Sequence, residues 1–266
     1  MMEDITVTSW NELNERLYEG SWSESLGRFR SPLAYRGMQD ARFDLTTSLA
    51  RLGGEYYKHE DDLIRNLRKY AFPQISNMGD SVWHWLALGQ HHGLPTRMLD
   101  WTYSPFVALH FATADIEWFD RDGVVWCVNY MESNSLLPNS LKGVLDKYDS
   151  NIFTAEMLSE AAASLPEFEQ LSEDEFVVFL EPPSLDERIV NQYALFSLMS
   201  TPGAYLDKWL CQHQHLYRRI IIPAGLKWEI RDKLDQANIT ERVLFPGLDG
   251  LTAWLRRYYS PRITLE

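Results

Sequence analysis

Between Gln90 and Pro105 the chain reads Gln-His-His-Gly-Leu-Pro-Thr-Arg-Met-Leu-Asp-Trp-Thr-Tyr-Ser-Pro. This short stretch holds two imidazoles, a guanidinium, a carboxylate and several hydroxyls. Imidazole and carboxylate groups move protons. A guanidinium grips an anion through paired N–H donors. The candidates are His91, His92, Arg97, Asp100, Thr102 and Ser104. Two further positions qualify elsewhere: Arg36, in Tyr35-Arg36-Gly37, and Gln192, ahead of an apolar run. Each also has a plain structural explanation. Asp100 can pair with Arg97, Thr102 can cap the following helix, Arg36 can be a surface ion pair at a strand end, and Gln192 can bond to backbone. The residue types alone leave both options open. Flanked by Leu99 and Trp101, Asp100 is expected to be largely buried, with Arg97, His91 or backbone donors as partners.

Other chemistries lack their patterns. Adjacent His91 and His92 point about 100° apart on a helix and rarely share one ion. Cys211-Gln212-His213-Gln214-His215 offers ligand types at alternate positions. Without Cys-x-x-Cys or His-Glu-x-x-His spacing, however, no metal is expected. There is no Walker loop, no Gly-x-Gly-x-x-Gly and no Gly-x-Ser-x-Gly elbow.

These groups need elements to hold them. Ser81 to Leu88 predicts a helix that Gly93 and Pro95 stop. Val107, Ala108, Phe111, Ala112 and Ile116 predict a second, beginning near Ser104 with Pro105 at its first position, so that residues between the two form a loop. Upstream, the Ser9-x-x-Glu12 box opens a helix running to Tyr18. Pro32 to Gly37 reads as a strand. Tyr56 to Tyr70 reads as a helix ended by Pro73. Downstream, strands are expected at Val124–Tyr130, Phe176–Leu180, Tyr193–Leu198 and Tyr217–Ile222, with helices at Leu226–Leu234 and Leu248–Tyr258. The polar segment 131–174, with a helix near Ala155 to Ser164, reads as an insertion within one domain spanning 1–266. Helices in the first half and strands in the second imply an α+β fold with a largely antiparallel sheet.

Of the 266 residues 45% are hydrophobic and 13% aromatic, a composition that folds. No apolar run is long enough to span a bilayer, and nothing near Met1 resembles a secretory signal, so cytoplasmic residence is expected. Cys127 and Cys211 fit a chain independent of disulfides, with Cys127 a buried thiol. The formal net charge of −13 speaks against broad binding to nucleic acid but not against a local anion site at Arg36 and Arg97.

The set Tyr35-Arg36-Gly37, the motif Gln90 to Thr102 and Ala108-Leu109-His110-Phe111-Ala112 resembles the FRG domain of bacterial proteins, with Tyr35 where the family usually has Phe. Leu244-Phe245-Pro246-Gly247-Leu248-Asp249-Gly250-Leu251 is similar to that family's closing motif. FRG domains in turn resemble distant members of the ADP-ribosyltransferase superfamily. The resemblance implies an ADP-ribosyltransferase-like core, NAD as substrate and a macromolecular acceptor, with a role as an intracellular toxin or defence effector. It also implies residue roles. Arg36 and Gly37 meet the diphosphate or ribose, with His92 and Arg97 as further ligand contacts. Thr102 and Ser104 buttress the site, and Gln192 bonds a ribose hydroxyl. Many active relatives carry Glu where Gln192 stands, and Gln cannot act as a general base. Catalysis would then fall to Asp100 or His91. A non-catalytic nucleotide- or protein-binding module and an NAD glycohydrolase are the competing readings. Neither the acceptor nor a protein regulator is named by the sequence. If the resemblance carries the site, Arg36, Thr102 and Gln192 should face one pocket, with His91 or His92 at its rim.

Overall fold

A computed structural model of the chain describes residues 4–71 and 79–262. Its strands, in chain order, are β1 (Ile5–Thr6), β2 (Trp22–Ser23), β3 (Arg28–Phe29), β4 (Leu33–Met38), β5 (Met98–Thr102), β6 (Gly123–Asn129), β7 (Val177–Leu180), β8 (Ala194–Met199) and β9 (Tyr217–Ile222). Strands β2 and β3 pair only with each other. The rest form a seven-stranded sheet of order β1-β9-β6-β4-β5-β8-β7. All its ladders are antiparallel except β1 with β9.

Helices α1 (Trp10–Tyr18), α2 (Glu60–Ala71), α3 (Val82–His91) and α4 (Pro105–Ala112) precede β6. After it come α5 (Tyr130–Ser133), α6 (Asn139–Lys147), α7 (Ala155–Ala161), α8 (Leu165–Glu169), α9 (Glu187–Asn191), α10 (Leu206–Gln212), α11 (Lys227–Gln236), α12 (Glu241–Leu244) and α13 (Leu248–Tyr258). The fold is α+β, but helices are not concentrated in its first half as expected. Short helices with few periodic residues fill the second half, and β5 lies where the sequence predicts a loop. In β5 both neighbours of Asp100 are buried, and so are Met98 and Thr102, so no clean alternation betrays the strand. Pro73, read as the end of α2, lies outside the described residues.

Local chemistry sets the helix ends around the central motif. Gly93 follows α3 at φ +81°, a conformation that favours glycine. Pro105 opens α4, and Ser104 Oγ accepts the amide of Val107 at 3.4 Å. The helix cap is therefore Ser104 and not Thr102.

Directly paired residues share a sheet face, and faces alternate along a strand. The pair Tyr35–Thr102 thus puts Leu33, Tyr35 and Gly37 on the same face as Met98, Asp100 and Thr102. Two apolar clusters cover that face. One packs α1, α4 and α11 on β4, β6 and β9 through Leu13, Leu17, Leu109, Cys127 and Ile230. The other packs α2, α3, α6, α7 and α8 on β5, β7 and β8 through Trp83, Leu86, Leu141, Phe168 and Phe196. Segment 131–174 belongs to this second cluster, its apolar residues facing inward and its polar ones giving the segment its composition. The opposite face carries a third cluster that includes Ala34, Leu99, Trp101 and Trp126. Burial pushes the Cys127 thiol up to about 12, so it stays protonated in the core. Among the described residues no helix is long and apolar enough to cross a membrane.

The boundary between the two same-face clusters falls between β4 and β5, where the ladder has one residue pair, Tyr35 with Thr102. Beyond that pair the strands part. Helix α4 lies hard against β4 here: a Cβ placed on Gly37 would sit 1.7 Å from the Ala108 carbonyl oxygen. Gly37→Ala should therefore destabilise the protein by about 3 kcal/mol or more, since backbone must move to admit the methyl group; denaturant melts of the two proteins measure this.

The closing motif forms the corner between α12 and α13, and Gly250 lets the α12–α13 turn close tightly. Arg257 locks α13 to α11 and α12, reaching Asp235 at 2.7 Å and Glu241 at 2.8 Å. Behind it His110 of α4 is buried, and its Nδ1 accepts Arg231 Nη1 at 2.8 Å. Burial, and then the Arg231 charge, lower its pKa from 6.5 to about 3. An unfolded chain takes up a proton below pH 6.5 that the folded one refuses, so stability should fall as pH drops from 6.5 towards 3. The slope expected from this group is about 1.4 kcal/mol per pH unit. His110→Gln keeps an acceptor and removes the titration. Its urea midpoint should depend less steeply on pH between 6.5 and 5 than that of the parent.

Candidate functional site

A cleft of about 200 Å³ opens where β4 and β5 part. Arg36 and Gly37 reach it from β4, Gln90 and His91 from the end of α3, and Asp100 and Thr102 from β5. Phe111 comes from α4, Arg188 and Ile189 from α9, and Gln192, Ala194 and Phe196 from the α9–β8 connection and β8.

Arg36 crosses the gap between the strands, and its Nη1 donates to the Asp100 carbonyl oxygen. Its Nε is buried without a partner, and no carboxylate lies within ion-pair distance among the described residues. Burial lowers its pKa from the ordinary guanidinium value, only partly offset by the Asp100 charge. The group stays protonated, so the cleft holds a positive charge unmatched by a bound carboxylate.

Asp100 is exposed at the cleft and not buried as expected. Its Oδ1 accepts Gln90 Nε2 at 3.0 Å, and its side chain points to the same face as Met98 and Thr102, where the two clusters separate. Without a packed neighbour over it, the carboxylate keeps access to water. The expected pairing with Arg97 is absent because Arg97 points elsewhere. It is 3% exposed and enclosed by Glu60, whose Oε1 accepts the Arg97 amide at 2.8 Å, and by Glu169 at 2.7 Å from Nη2. Arg97 therefore ties α2 and α8 to the start of β5 and does not reach the cleft.

Thr102 lines the cleft through its hydroxyl, which donates to the Gln192 carbonyl oxygen at 2.7 Å and accepts the Ser104 amide at 3.0 Å. Gln192 caps the C-terminus of α9 and does not open a strand; β8 begins at Ala194. Its Nε2 donates to the Leu244 carbonyl oxygen at 3.0 Å, which draws the closing motif to the back of the site. Ser104 is spent on capping α4, and His92, exposed at the end of α3, does not line the cleft.

His91 does, and it has a partner the sequence did not suggest. Its Nε2 lies 2.6 Å from Asp186 Oδ2, while Asp186 Oδ1 accepts the amides of Arg188 and Ile189 at 2.9 and 3.2 Å. Burial pushes the Asp186 carboxyl up, but the bonds from His91 and from those amides prevail and leave its pKa below the usual range. Asp186 thus caps α9 and orients His91. An Asp before an unrecognised five-residue helix is the signal that was available, but the apolar pattern in this stretch predicts only the strand Tyr193–Leu198 and no helix ahead of it. Arg188 was missed with it. Its guanidinium carbon stands 4.9 Å from the centre of the Phe245 ring, its Nε is buried without a partner, and it forms no ion pair among the described residues.

The structure brings Arg36, Gly37, His91, Asp100, Thr102 and Gln192 to one cleft, and leaves Arg97, His92 and Ser104 off it. Among the described residues no group of three or more His, Cys, Asp or Glu side chains is placed to hold a metal ion.

Residues 31–121 match the family model of the FRG domain. The matched segment takes in β4, α2, α3, β5 and α4, hence Arg36, His91, Asp100 and Thr102. Asp186, Arg188, Gln192 and the closing motif lie outside it. Searches of curated proteins and of solved structures gave no match.

The buried position of Arg97 separates architecture from binding. Arg97→Gln strands Glu60, which is 3% exposed, and should cost about 3–5 kcal/mol of stability. Folded Arg97→Gln protein should bind cleft ligands as the parent does, a comparison open to calorimetric titration below its melting temperature.

Proposed function

We propose that the cleft binds NAD and that the protein transfers its ADP-ribosyl group to a nucleophile on a macromolecular acceptor. The observation that carries this reading is Arg36, a charged group with no carboxylate partner, facing the cleft that also receives Gln192, Thr102 and His91 from distant parts of the chain. A buried charge without a partner is retained where a ligand supplies the opposite charge. Apolar Phe111, Ile189 and Phe196 offer the remaining wall to a flat ring.

In this reading the bond between nicotinamide and ribose C1′ breaks, and nicotinamide leaves with the electron pair. The acceptor nucleophile bonds to C1′ and gives up its proton. Positive charge grows on the ribose during the step, and Asp100, the carboxylate lining the cleft, is the group to stabilise it. His91, oriented by Asp186, takes the acceptor's proton. Arg36 holds the diphosphate, and the Gln192 amide faces a ribose hydroxyl. A role as an intracellular toxin or defence effector belongs to the same proposal.

One observation favours a second reading, a nucleotide-binding module without turnover. Gln192 stands where a carboxylate would serve the chemistry, and its amide nitrogen is already engaged by Leu244. Release of free nicotinamide from NAD separates the two. The first reading expects release that falls at least about tenfold in Asp100→Asn while NAD still binds. It also expects labelled ADP-ribose to appear on macromolecules of a lysate. Binding of NAD without release supports the module, and release without any labelled macromolecule means that water is the acceptor.

A further inference from the structure

Arg36 is not alone in the cleft. Arg188, on α9, lines it too, and neither guanidinium forms an ion pair with a carboxylate among the described residues. Both have a buried Nε with no partner, so neither group is hydrated on all sides. Arg36 uses Nη1 on the Asp100 carbonyl oxygen, and its Nη2 has no hydrogen-bond partner among the described residues. Arg188 makes no side-chain hydrogen bond among the described residues, so both of its terminal nitrogens are open to a ligand.

Two like charges lining one cleft of about 200 Å³ repel each other, and the chain as a whole, at −13, has ample carboxylates that could have answered them. The carboxylates nearby are engaged otherwise. Asp186 takes His91 and the first amides of α9, and Asp100 takes Gln90. Arg188 is also held in place without a counterion. Its guanidinium lies over the Phe245 ring at 4.9 Å, and Phe245 in turn meets Phe111 edge-on at 6.2 Å. Stacking on an aromatic face fixes a guanidinium plane while leaving its N–H edge open. A fixed fork loses little side-chain freedom when it meets an anion.

We propose that Arg188 is a second anion-binding residue and that, with Arg36, it forms a clamp for two linked phosphates. The ligand class is a diphosphate, free or as the middle of a nucleotide, in preference to a single phosphate. This assignment deepens the NAD reading, on which it rests for the identity of the flanking groups, but it stands on the two guanidiniums themselves. It also gives the closing motif a part in binding, because Phe245 is what positions Arg188.

Calorimetric titration of the full chain with inorganic phosphate, inorganic pyrophosphate and NAD tests it, for the parent, Arg36→Gln, Arg188→Gln and Arg188→Lys. Thermal melts of each variant establish that it is folded. In the parent, pyrophosphate should bind at least about tenfold more tightly than phosphate. In Arg188→Gln, pyrophosphate should weaken by about 10- to 100-fold, towards the phosphate value, while phosphate changes little because Arg36 still holds it. Arg188→Lys, which keeps the charge but not the fork, should recover only part of the loss. If Arg188→Gln binds pyrophosphate and NAD as the parent does while Arg36→Gln does not, the clamp is wrong and the NAD reading survives. If pyrophosphate binds with the expected dependence on Arg188 but NAD does not bind, the clamp stands and the NAD reading falls. Binding of neither ligand to the folded parent overturns both.

Discussion

A guanidinium taken partly out of water with no carboxylate beside it is costly to hold, and Arg36 is such a group. The surrounding structure accommodates it in three ways. The strands on either side separate after a single residue pair, which makes room for the side chain between them. The carbonyl oxygen of Asp100, freed by that separation from pairing with β4, accepts one of its N–H groups. Helix α4 is drawn onto the outer end of β4 through Gly37, closing one side of the gap with Phe111. Two apolar half-cores flank the separation and keep it from collapsing, since each is packed on its own set of strands.

The cleft is assembled from segments far apart in sequence, and hydrogen bonds bring them together. Thr102 Oγ1 ties β5 to the carbonyl of Gln192, and the Gln192 amide ties α9 to Leu244. Asp186 ties α9 to the end of α3 through His91. The links from Thr102 and from His91 join a residue of the segment matched to the FRG domain to one outside it, and the link from Gln192 to Leu244 joins two residues outside it. The matched segment supplies Arg36, His91 and Asp100, and the later chain supplies the opposite wall.

What could be read in the sequence follows from how local each signal is. The end of α3 at Gly93 and the start of α4 at Pro105 are set by a few neighbouring residues, and they were legible. So were β9, a run of three Ile closed by Pro223, and α13, whose apolar residues recur at helical spacing. Strand β5 was not, because it is buried on both faces except at Asp100 and gives no alternation. The same fact reversed the expectation for Asp100 itself: apolar neighbours imply burial only if the face between them is covered, and here it is the open boundary of two clusters. Arg97 shows the converse. Its ion pairs with Glu60 and Glu169 span 37 and 72 positions, so no local pattern could reveal that it belongs to the framework. Arg188 was hidden by a helix of five residues, too short to show a period.

The order in which these pieces join matters while the chain is being made. Strand β1 pairs Ile5 with Ile220, and Gln192 finds the Leu244 carbonyl only after that residue has left the ribosome. The matched FRG segment emerges first and contains Arg36, His91 and Asp100, yet the wall that faces them is synthesised later. A nascent chain therefore has no complete cleft until Leu244 and Phe245 have been translated. Whatever the cleft engages, the growing polypeptide stays silent towards it until those late residues have joined the fold.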